Sequence, residues 1–482
     1  MTADHFPGSG GLAPFVFAGF HLLGLVMSVH AVMTARTPQG SIAWGVSLNT
    51  FPYAAVPLYL LFGRNNFEGY VEAWRQQADK VKHFRAEMAA RVAPFAVDRL
   101  DGLPDVRAMV HLAHSPFLRG NDATLLVDGP ATFESILDGL AQAQAYVLVQ
   151  FYIIHDDGLG RRLKDAMIAC ARRGVRAHLL YDEVGSAGLP QQYLRDLEQA
   201  GVRQSKFNTT QGAHNRFQLN FRNHRKNVVV DGHVAWIGGH NVGDEYLGLD
   251  PKIGHWRDTH VRIEGPAAQV AQAAFLADWY WATRTLPELD WTPRAAASGA
   301  DVHTMVLAMS PTDPIQTAEL FFMHALNAAR QRIWLATPYF VPDEGIMTAL
   351  ALAALRGVDL RIIIPEKSDN PLVDLAARYY ANQLAGPGVR FYRYTDGFPH
   401  QKVLLVDRGV ATVGTANFDN RSFRLQFEIN AIVVDEGMGK QVEAMLENDM
   451  AHAVPWDPAD LRAAPFTRRL AVAVARLTAP VL

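Results

Sequence analysis

Cysteine is nearly absent from this sequence, and neither sign of charge predominates. The single cysteine, Cys170, excludes an intramolecular disulfide framework and a cysteine-ligated zinc site, and its alanine-rich helical surroundings predict a buried, inert thiol. The net charge of −3 provides no overall field for nucleic acid, so an anionic ligand must be held by local clusters. Hydrophobic residues make up 49% of the 482 positions, which excludes a disordered chain and allows two or three domains.

Two stretches near the N-terminus lack Asp, Glu, Lys and Arg. As a helix, residues 12–33 would reach about 33 Å, which is enough to cross the hydrocarbon core of a bilayer. Residues 42–63 form the second stretch, in which Pro52 and Pro57 should kink a helix without excluding it from a membrane. These stretches predict a transmembrane helical hairpin over residues 1–63. A buried soluble hairpin is the alternative, and a cleaved signal peptide is disfavoured because no Lys or Arg precedes Arg36.

Basic residues are distributed unequally around the two apolar stretches. The link between them contains only Arg36, whereas six Lys and Arg residues follow in residues 64–91. The positive-inside rule therefore predicts that the chain after the hairpin lies in the cytoplasm. Apolar residues at roughly helical spacing within residues 64–110 predict a connector helix that either lies at the membrane interface or packs on the following domain.

A repeated motif organises the rest of the chain. Five of its positions recur 176 residues later in the chain. Because the offset is the same at all five positions, the motif indicates an internal duplication. The matched pairs are His224 and His400, Lys226 and Lys402, Asp231 and Asp407, Gly238 and Gly414, and Asn241 and Asn417.

Each motif follows the same alternation of strand, helix and strand. The three segments are 146–154, 158–173 and 175–181 before the first motif, and 333–338, 345–356 and 358–364 before the second. This alternation predicts an α/β fold with mainly parallel sheets flanked by helices. The Pro- and Ala-rich residues 293–300 are the natural boundary, so we expect two pseudo-symmetric domains, 111–295 and 296–482, that pack about a pseudo-twofold axis.

The residue types within each motif suit chemistry at phosphorus. On a strand, positions two apart point to the same face, so His224 and Lys226 share one side, as do His400 and Lys402. A neutral imidazole can attack phosphorus, and an ammonium group can hold the non-bridging oxygens as charge builds. Two such units facing one phosphodiester supply a nucleophile, a general acid and two cations, without a metal or another cofactor. The two histidines must differ in protonation at the start, as a pair.

The other repeated positions are candidates for support. Asp231 and Asp407 complete the motif and are grouped with its catalytic residues, although each follows a strand and suits a turn or a hydrogen-bond acceptor better than direct chemistry. Small residues after each motif let the backbone approach a phosphate, and asparagines can donate to its oxygens. These phosphate-binding candidates are Gly239, Asn241, Thr415 and Asn417.

A carboxylate precedes the next strand after each motif. Asp258 and Glu428 are candidates to orient the imidazoles through the ring nitrogen that does not attack, and surface ion pairing is the competing explanation. Glu245 is a weaker candidate for this role. His233 and His240 lie outside the repeated pattern and are not expected to be catalytic.

The two motifs resemble the paired His-x-Lys-x4-Asp signatures of the phospholipase D superfamily. Further strings at residues 59–64, 220–226, 238–246, 337–343 and 414–423 resemble the two-span bacterial cardiolipin synthases, and the resemblance covers nearly the whole chain. Two positions depart from the family pattern. Gln401 stands where small residues are common and could alter the pocket near Lys402, and Thr415 replaces a second glycine.

The resemblance implies a phosphatidyltransferase of phospholipid biosynthesis in the bacterial inner membrane, with its catalytic domains on the cytoplasmic side. One histidine would displace glycerol from phosphatidylglycerol, and the other would protonate that glycerol and then activate a second phosphatidylglycerol to give cardiolipin. Family analogy makes His224 the nucleophile and His400 the acid/base, a choice that the sequence alone does not make. Lipids rather than nucleic acid are the expected partners, and a homo-oligomer is compatible with the pattern.

Three other functions remain open at this stage. A phospholipase D-like hydrolase would release phosphatidic acid, because water competes with any alcohol acceptor. A membrane-tethered nuclease would need an extended basic channel, whereas the sequence offers only local clusters such as Arg222, Arg225 and Lys226. A membrane scaffold with an inactive site has little support, because both His/Lys pairs are intact.

Overall fold

The computed structural model describes residues 13–35, 37–63, 67–75, 78–100, 103, 105–208 and 220–479. Two compact units emerge from its contacts: Met1–Glu72 with Thr209–Phe221, and Ala73–Asn208 with Arg222–Leu482. The helices are α1 (Ala13–Thr34), α2 (Pro38–Thr50), α3 (Pro52–Phe62), α4 (Glu68–Arg75), α5 (Ala78–Val92), α6 (Arg107–Ala113), α7 (Asp128–Gln142), α8 (Gly158–Arg172), α9 (Gln191–Gln199), α10 (Ala268–Thr283), α11 (Thr317–Ala328), α12 (Glu344–Leu355), α13 (Pro371–Ala385), α14 (Asn420–Arg424), α15 (Glu436–Ala451), α16 (Asp460–Ala463) and α17 (Phe466–Arg476).

The strands are short and numerous. They are β1 (Ala96–Val97), β2 (Phe117–Val127), β3 (Tyr146–Phe151), β4 (Arg176–Asp182), β5 (Arg203–Phe207), β6 (Arg222–Asn223), β7 (Asn227–Val230), β8 (Val234–Gly238), β9 (Trp256–Arg257), β10 (Thr259–Glu264), β11 (Val302–Met309), β12 (Arg332–Ala336), β13 (Phe340–Val341), β14 (Asp359–Pro365), β15 (Arg390–Tyr394), β16 (Phe398–Pro399), β17 (Val403–Val406), β18 (Val410–Gly414), β19 (Phe418–Asp419), β20 (Gln426–Val434) and β21 (Ala453–Trp456).

In the N-terminal unit, α1 packs against both α2 and α3. Glycine is required at position 24, because an added Cβ would lie 2.2 Å from the Leu48 carbonyl oxygen. The Asn49 side chain donates to the Ser28 hydroxyl at 2.7 Å, a polar contact of the kind that holds helices together in lipid.

The second apolar stretch is not one helix. It divides into α2 and α3 at Phe51, because Pro52 has no N–H to continue the hydrogen-bond ladder, whereas Pro57 lies inside α3. Among the described helices, Pro14–Thr34 alone is long and apolar enough to cross a membrane, with a mean hydropathy of 1.9. At Pro52, where a kink was predicted, one helix has ended and another begins.

The connector after the hairpin packs on protein. The ring centroids of Trp74 and Tyr280 lie 4.9 Å apart, and those of Phe84 and Trp291 lie 4.8 Å apart. Of the two interpretations of residues 64–110, these contacts favour packing on the following domain.

One mixed sheet runs through the larger unit. Outward from the central β2–β11 pair, the first half runs β2, β10, β8, β7, β3, β4, β5. The second half runs β11, β20, β18, β17, β12, β14, β15. The strand order is thus the same in both halves, as a pseudo-twofold arrangement requires. The predicted domains, 1–63, 64–110, 111–295 and 296–482, stay predictions.

The α/β class is confirmed, but the expectation of mainly parallel sheets holds only for the lead-in strands. Pairing is parallel between β3, β4 and β5 and between β12, β14 and β15, where helices cross over. The motif strands β7 and β17 pair antiparallel with β3 and β12. They are also antiparallel to β8 and β18, to which tight turns rather than helices connect them. Every residue of β3 is buried, which explains why five of its six residues are apolar; the exception, Gln150, donates to Asp278 at 2.8 Å.

Candidate active site

Two short parallel pairings bring the motif histidines to the opposite half of the molecule. β6, which precedes His224, pairs with the start of β20, and β16, which precedes His400, pairs with β9. The His224 N–H donates to the Phe427 carbonyl at 3.0 Å, and the His400 N–H donates to the Arg257 carbonyl at 2.7 Å. Each histidine is therefore fixed beside the residue that precedes the other half's carboxylate.

The imidazoles and their carboxylates are paired crosswise. His224 Nδ1 lies 3.0 Å from Glu428 Oε2, and His400 Nδ1 lies 2.7 Å from Asp258 Oδ2. Both acids are fully buried, so these are not the surface ion pairs of the competing explanation. With the Nδ1–H donated to a carboxylate, each imidazole presents the lone pair of its Nε2 atom.

Each lysine lies beside its histidine, but the prediction that they lie on a strand is wrong, because residues 224–226 and 400–402 lie in short links between strands. Lys226 Nζ donates to the His224 carbonyl at 2.8 Å. Lys402 Nζ also bonds the His400 carbonyl, and it lies 2.8 Å from Nδ1 and 3.0 Å from Nε2 of that imidazole. Both lysines are buried, so each ammonium group acts in a medium of low dielectric constant.

Burial dominates the protonation of the site. It lowers the pKa of His224 and His400 well below the usual range, and the charges of both lysines lower each pKa further. Burial also lowers the pKa of Lys402 to about 8, although the charges of Asp258 and Glu428 oppose this. The same cause raises the pKa of Glu428 to about 7, against the charge of Lys226. The lowered pKa favours a neutral imidazole, which the nucleophile must be, whereas the acid of the pair must gain a proton when substrate binds.

The four motif side chains share one site. The charge of His224 lowers the pKa of His400, and Lys402 lowers that of His224, so the two halves interact electrostatically. Two aromatic rings form its walls: Tyr152 lies 5.1 Å from the His224 ring, and Trp256 lies 5.0 Å from the His400 ring. Sequence reasoning missed both rings, although Tyr152 directly follows a buried strand and Trp256 lies two positions before Asp258.

The motif aspartates bind backbone amides. The Asp231 carboxylate accepts from the N–H groups of Gln144, Ala145 and Tyr146, at 2.8 Å each. Asp407 accepts equivalently from Arg330, Gln331 and Arg332. Both aspartates have a left-handed backbone, with φ near 50°. These contacts support a turn-forming role at the far end of each motif strand and no direct part in the chemistry.

Replacing either aspartate should therefore cost stability rather than activity. Asp231→Ala and Asp407→Ala each leave three amides without their acceptor, and we expect each change to lower the free energy of unfolding by about 1–3 kcal/mol. Thermal unfolding in detergent measures the loss, and activity per folded molecule is the control. An inactive variant with an unchanged Tm would return the aspartate to the chemical site.

The four phosphate-binding candidates differ in the contacts that they make with the protein. At Gly239 an added Cβ would lie 2.0 Å from Asp258 Oδ1, so this glycine makes room for the carboxylate. The Thr415 hydroxyl accepts from the Ile429 N–H at 2.8 Å and donates to the Ile429 carbonyl at 3.2 Å. Asn241 Oδ1 accepts from the Ile153 N–H at 3.1 Å. The Asn417 side-chain oxygen is buried without a described partner; as an acceptor it suits a substrate hydroxyl, whereas only the amide nitrogen can donate to a phosphate oxygen.

Three further positions have structural partners. Gln401 donates to Asp449 at 2.7 Å and accepts from Thr259 at 3.2 Å, so its amide joins a buried network and does not enter the space near Lys402. Glu245 pairs with His155 at 3.1 Å rather than with a motif histidine. The off-pattern residue His240 is fully buried against His260.

Two matching α/β halves that bring two His–Lys pairs to one site define a phosphodiester-transferring enzyme of the phospholipase D type. The comparisons with known proteins are specific within that class. The family model described as "Cardiolipin synthase, PLD-like domain" matches residues 136–279 and 322–450. Cardiolipin synthase A of Pseudomonas aeruginosa is 46% identical over 97% of this chain and 96% of its own, and that of Pseudomonas fluorescens is 44% identical over 98% of both.

The chain belongs to the cardiolipin synthase family of phospholipase D-like enzymes. Phosphatidylserine synthase from Haemophilus influenzae has a similar fold, with a TM-score of 0.56 and 13% identity over 78% of this chain and 99% of its own. At that identity the likeness shows the fold alone. The family model and the near full-length relatives confirm the predicted superfamily and the enzyme class.

Proposed function

We propose that this enzyme makes cardiolipin by moving a phosphatidyl group from one phosphatidylglycerol to a second, through a phosphatidyl-histidine intermediate. The crossed pairs, His224 with Glu428 and His400 with Asp258, carry this proposal. Each pair orients one imidazole, and in the proposed reaction the two imidazoles act on one phosphorus atom, as a two-step transfer requires. The near full-length similarity to cardiolipin synthases supports the choice of substrate.

In the first step, Nε2 of His224 forms a bond to phosphorus as the bond from phosphorus to the glycerol oxygen breaks. The leaving oxygen takes its proton from Nε2 of His400, which the negative charge of the bound phosphodiester helps to protonate. The ammonium groups of Lys226 and Lys402 hold the non-bridging oxygens as their charge grows. Free glycerol leaves, and the phosphatidyl group remains on His224.

In the second step, a free glycerol hydroxyl of another phosphatidylglycerol gives its proton to Nε2 of His400. Its oxygen then bonds to phosphorus, and the bond from phosphorus to His224 breaks to give cardiolipin. The two histidines are 7% and 8% exposed, so little water reaches the intermediate. This burial favours transfer over hydrolysis.

Purified full-length protein in vesicles of phosphatidylglycerol alone tests the proposal. We expect cardiolipin and glycerol in equal amounts by mass spectrometry, and neither product from the His224→Ala, His400→Ala double variant. Phosphatidic acid as the main product would instead identify a hydrolase. Degradation of labelled DNA with no lipid product would identify a nuclease.

The two lysines should set the alkaline limit of activity. Burial lowers the pKa of Lys402 to about 8 and that of Lys226 well below the usual lysine range, so kcat/KM should fall as the pH rises, and the loss of the Lys402 proton should complete the fall near pH 8. Because the pKa of both histidines is lowered, kcat/KM should fall on the acid side only at pH values below the ordinary histidine range. Rates from pH 5 to 10 check both limits, and a flat profile between pH 7 and 10 would contradict the assignment to the lysines.

We also propose that both apolar segments of the hairpin lie in the bacterial inner membrane and that the catalytic unit lies in the cytoplasm. The length of α1 and the excess of basic residues after the hairpin support this topology. In intact cells an impermeant maleimide should label Gln39→Cys from the periplasm, whereas Lys252→Cys should need permeabilised cells. Equal labelling of both would contradict the topology. Whether the enzyme forms a homo-oligomer stays a prediction.

A further inference from the structure

The C-terminal helix α17 has two apolar faces but packs through only one. Val472 and Ala475 are buried. Ala475 belongs to an apolar cluster with Val373 and Ala376 of α13, against which α17 packs. Four large apolar side chains on the other face are solvent-exposed. They are Phe466 (72% exposed), Leu470 (50%), Val474 (53%) and Leu477 (76%).

The four exposed side chains form one stripe. They follow one another at steps of four, four and three residues, which places them on a single side of a helix. A contiguous apolar surface of this kind on a soluble face marks a binding surface. We call these four residues the α17 stripe.

The charge around the stripe identifies its partner. Residues 460–479 contain four arginines, Arg462, Arg468, Arg469 and Arg476, and a single acid, Asp460, whereas the whole chain has a net charge of −3. Arg476 donates to the Tyr379 hydroxyl of α13 at 2.6 Å, which leaves Arg462, Arg468 and Arg469 as the exposed arginines that can reach a lipid. An apolar stripe beside such arginines suits the surface of a bilayer that contains anionic phospholipid.

We propose that α17 lies in the membrane interface, with its stripe among the acyl chains and its arginines at the phosphates of anionic lipids. This contact goes beyond the proposed reaction, because it does not depend on which bond the enzyme makes. It adds a second membrane attachment, at the opposite end of the chain from the N-terminal hairpin.

A series of contacts connects α17 with the catalytic residues. Ala475 shares an apolar cluster with Val373 of α13, and Tyr339 packs against that cluster. Val341 of β13 belongs to the same cluster, and β13 pairs with β19, which begins directly after Asn417. The helix that binds the membrane thus packs on elements that border the active site, which suits an enzyme whose substrates never leave the bilayer.

Fluorescence from one introduced cysteine tests the inference in the full-length protein. The native Cys170 is fully buried, so a nitrobenzoxadiazole maleimide will label Leu470→Cys selectively. In vesicles of phosphatidylglycerol and phosphatidylcholine, we expect a blue-shifted emission that lipids with a doxyl group on the acyl chain quench. The same probe at Lys440→Cys, on the exposed side of α15, should show neither change.

Arginine and stripe variants separate the electrostatic and apolar contributions. Arg469→Gln should raise the phosphatidylglycerol fraction needed for half-maximal quenching by about fivefold, and Leu470→Glu with Val474→Glu should abolish quenching of a probe at Ala473→Cys. An aqueous emission from the Leu470 probe in every lipid would overturn the proposal. So would efficient disulfide crosslinking of Leu470→Cys between copies, because it would show that a second chain covers the stripe. The readout needs no turnover, so its failure is distinct from a failure of the proposed reaction.

Discussion

His224→Ala and His400→Ala should each lower kcat/KM for cardiolipin formation by about 10⁴-fold or more. Residues that act as a unit lose nearly all catalysis when one is removed, because the remaining group has no partner for its step. Lipid mass spectrometry after expression in a host without cardiolipin gives the result directly. His233→Ala is the matched control, since His233 lies outside the repeated motif and pairs with Glu264 at 3.7 Å.

A reactive substrate distinguishes the two histidines. Phosphatidyl p-nitrophenol carries a leaving group that needs no proton, so His400→Ala should still release one equivalent of p-nitrophenol in a burst and then stop. His224→Ala should give no burst. The opposite pattern would exchange the two roles, and full activity of either single variant would contradict a shared site.

The second large effect concerns the carboxylates. Glu428→Gln and Asp258→Asn should each lower kcat by about 10³-fold, because an amide does not hold the imidazole in the tautomer that presents a lone pair at Nε2. The crossed pairing makes a sharper prediction. Glu428→Gln lies in the second half but should slow the burst that belongs to His224, whereas Asp258→Asn lies in the first half and should slow only the turnover that needs His400.

Steady-state rates and burst amplitudes with the p-nitrophenyl ester measure this split. Glu443→Gln serves as a control, since Glu443 is partly exposed and pairs with Arg332 away from the histidines. A burst slowed by Asp258→Asn and not by Glu428→Gln would mean that each carboxylate serves the histidine of its own half, contrary to the structure.

Much of the architecture follows from local patterns in the sequence. The constant spacing of the two motifs predicts two matching halves, and the strand order repeats in each half from the β2–β11 pair outward. The His-x-Lys spacing predicts that His400 and Lys402 share a face, and their side chains are 2.8 Å apart. The His-x-Lys signal depends on residues that are close in the chain, and the duplication follows from comparing two such local motifs.

Features that depend on distant residues were not predictable in this way. The sequence identifies Asp258 and Glu428 as carboxylates before a strand, but the pairing of β6 with β20 and of β9 with β16 decides which imidazole each one reaches. The antiparallel pairing of β7 with β3 is likewise a long-range choice. Pro52 was expected to kink a helix, and whether a proline kinks or ends a helix depends on the neighbouring helices.

The crossed carboxylates restrict how this enzyme can be recombined. A chimera that joins the first half of one relative to the second half of another takes His224 from one parent and its partner Glu428 from the other. Each His–carboxylate pair in such a chimera combines residues from two parents. The carboxylate side chain of one parent must therefore have the length and the position that the histidine of the other parent needs. An exchange that left the motifs intact but shifted β6 against β20 by one residue would misorient the nucleophile. Shuffled libraries of relatives should therefore keep activity only where these two strand pairings are inherited together.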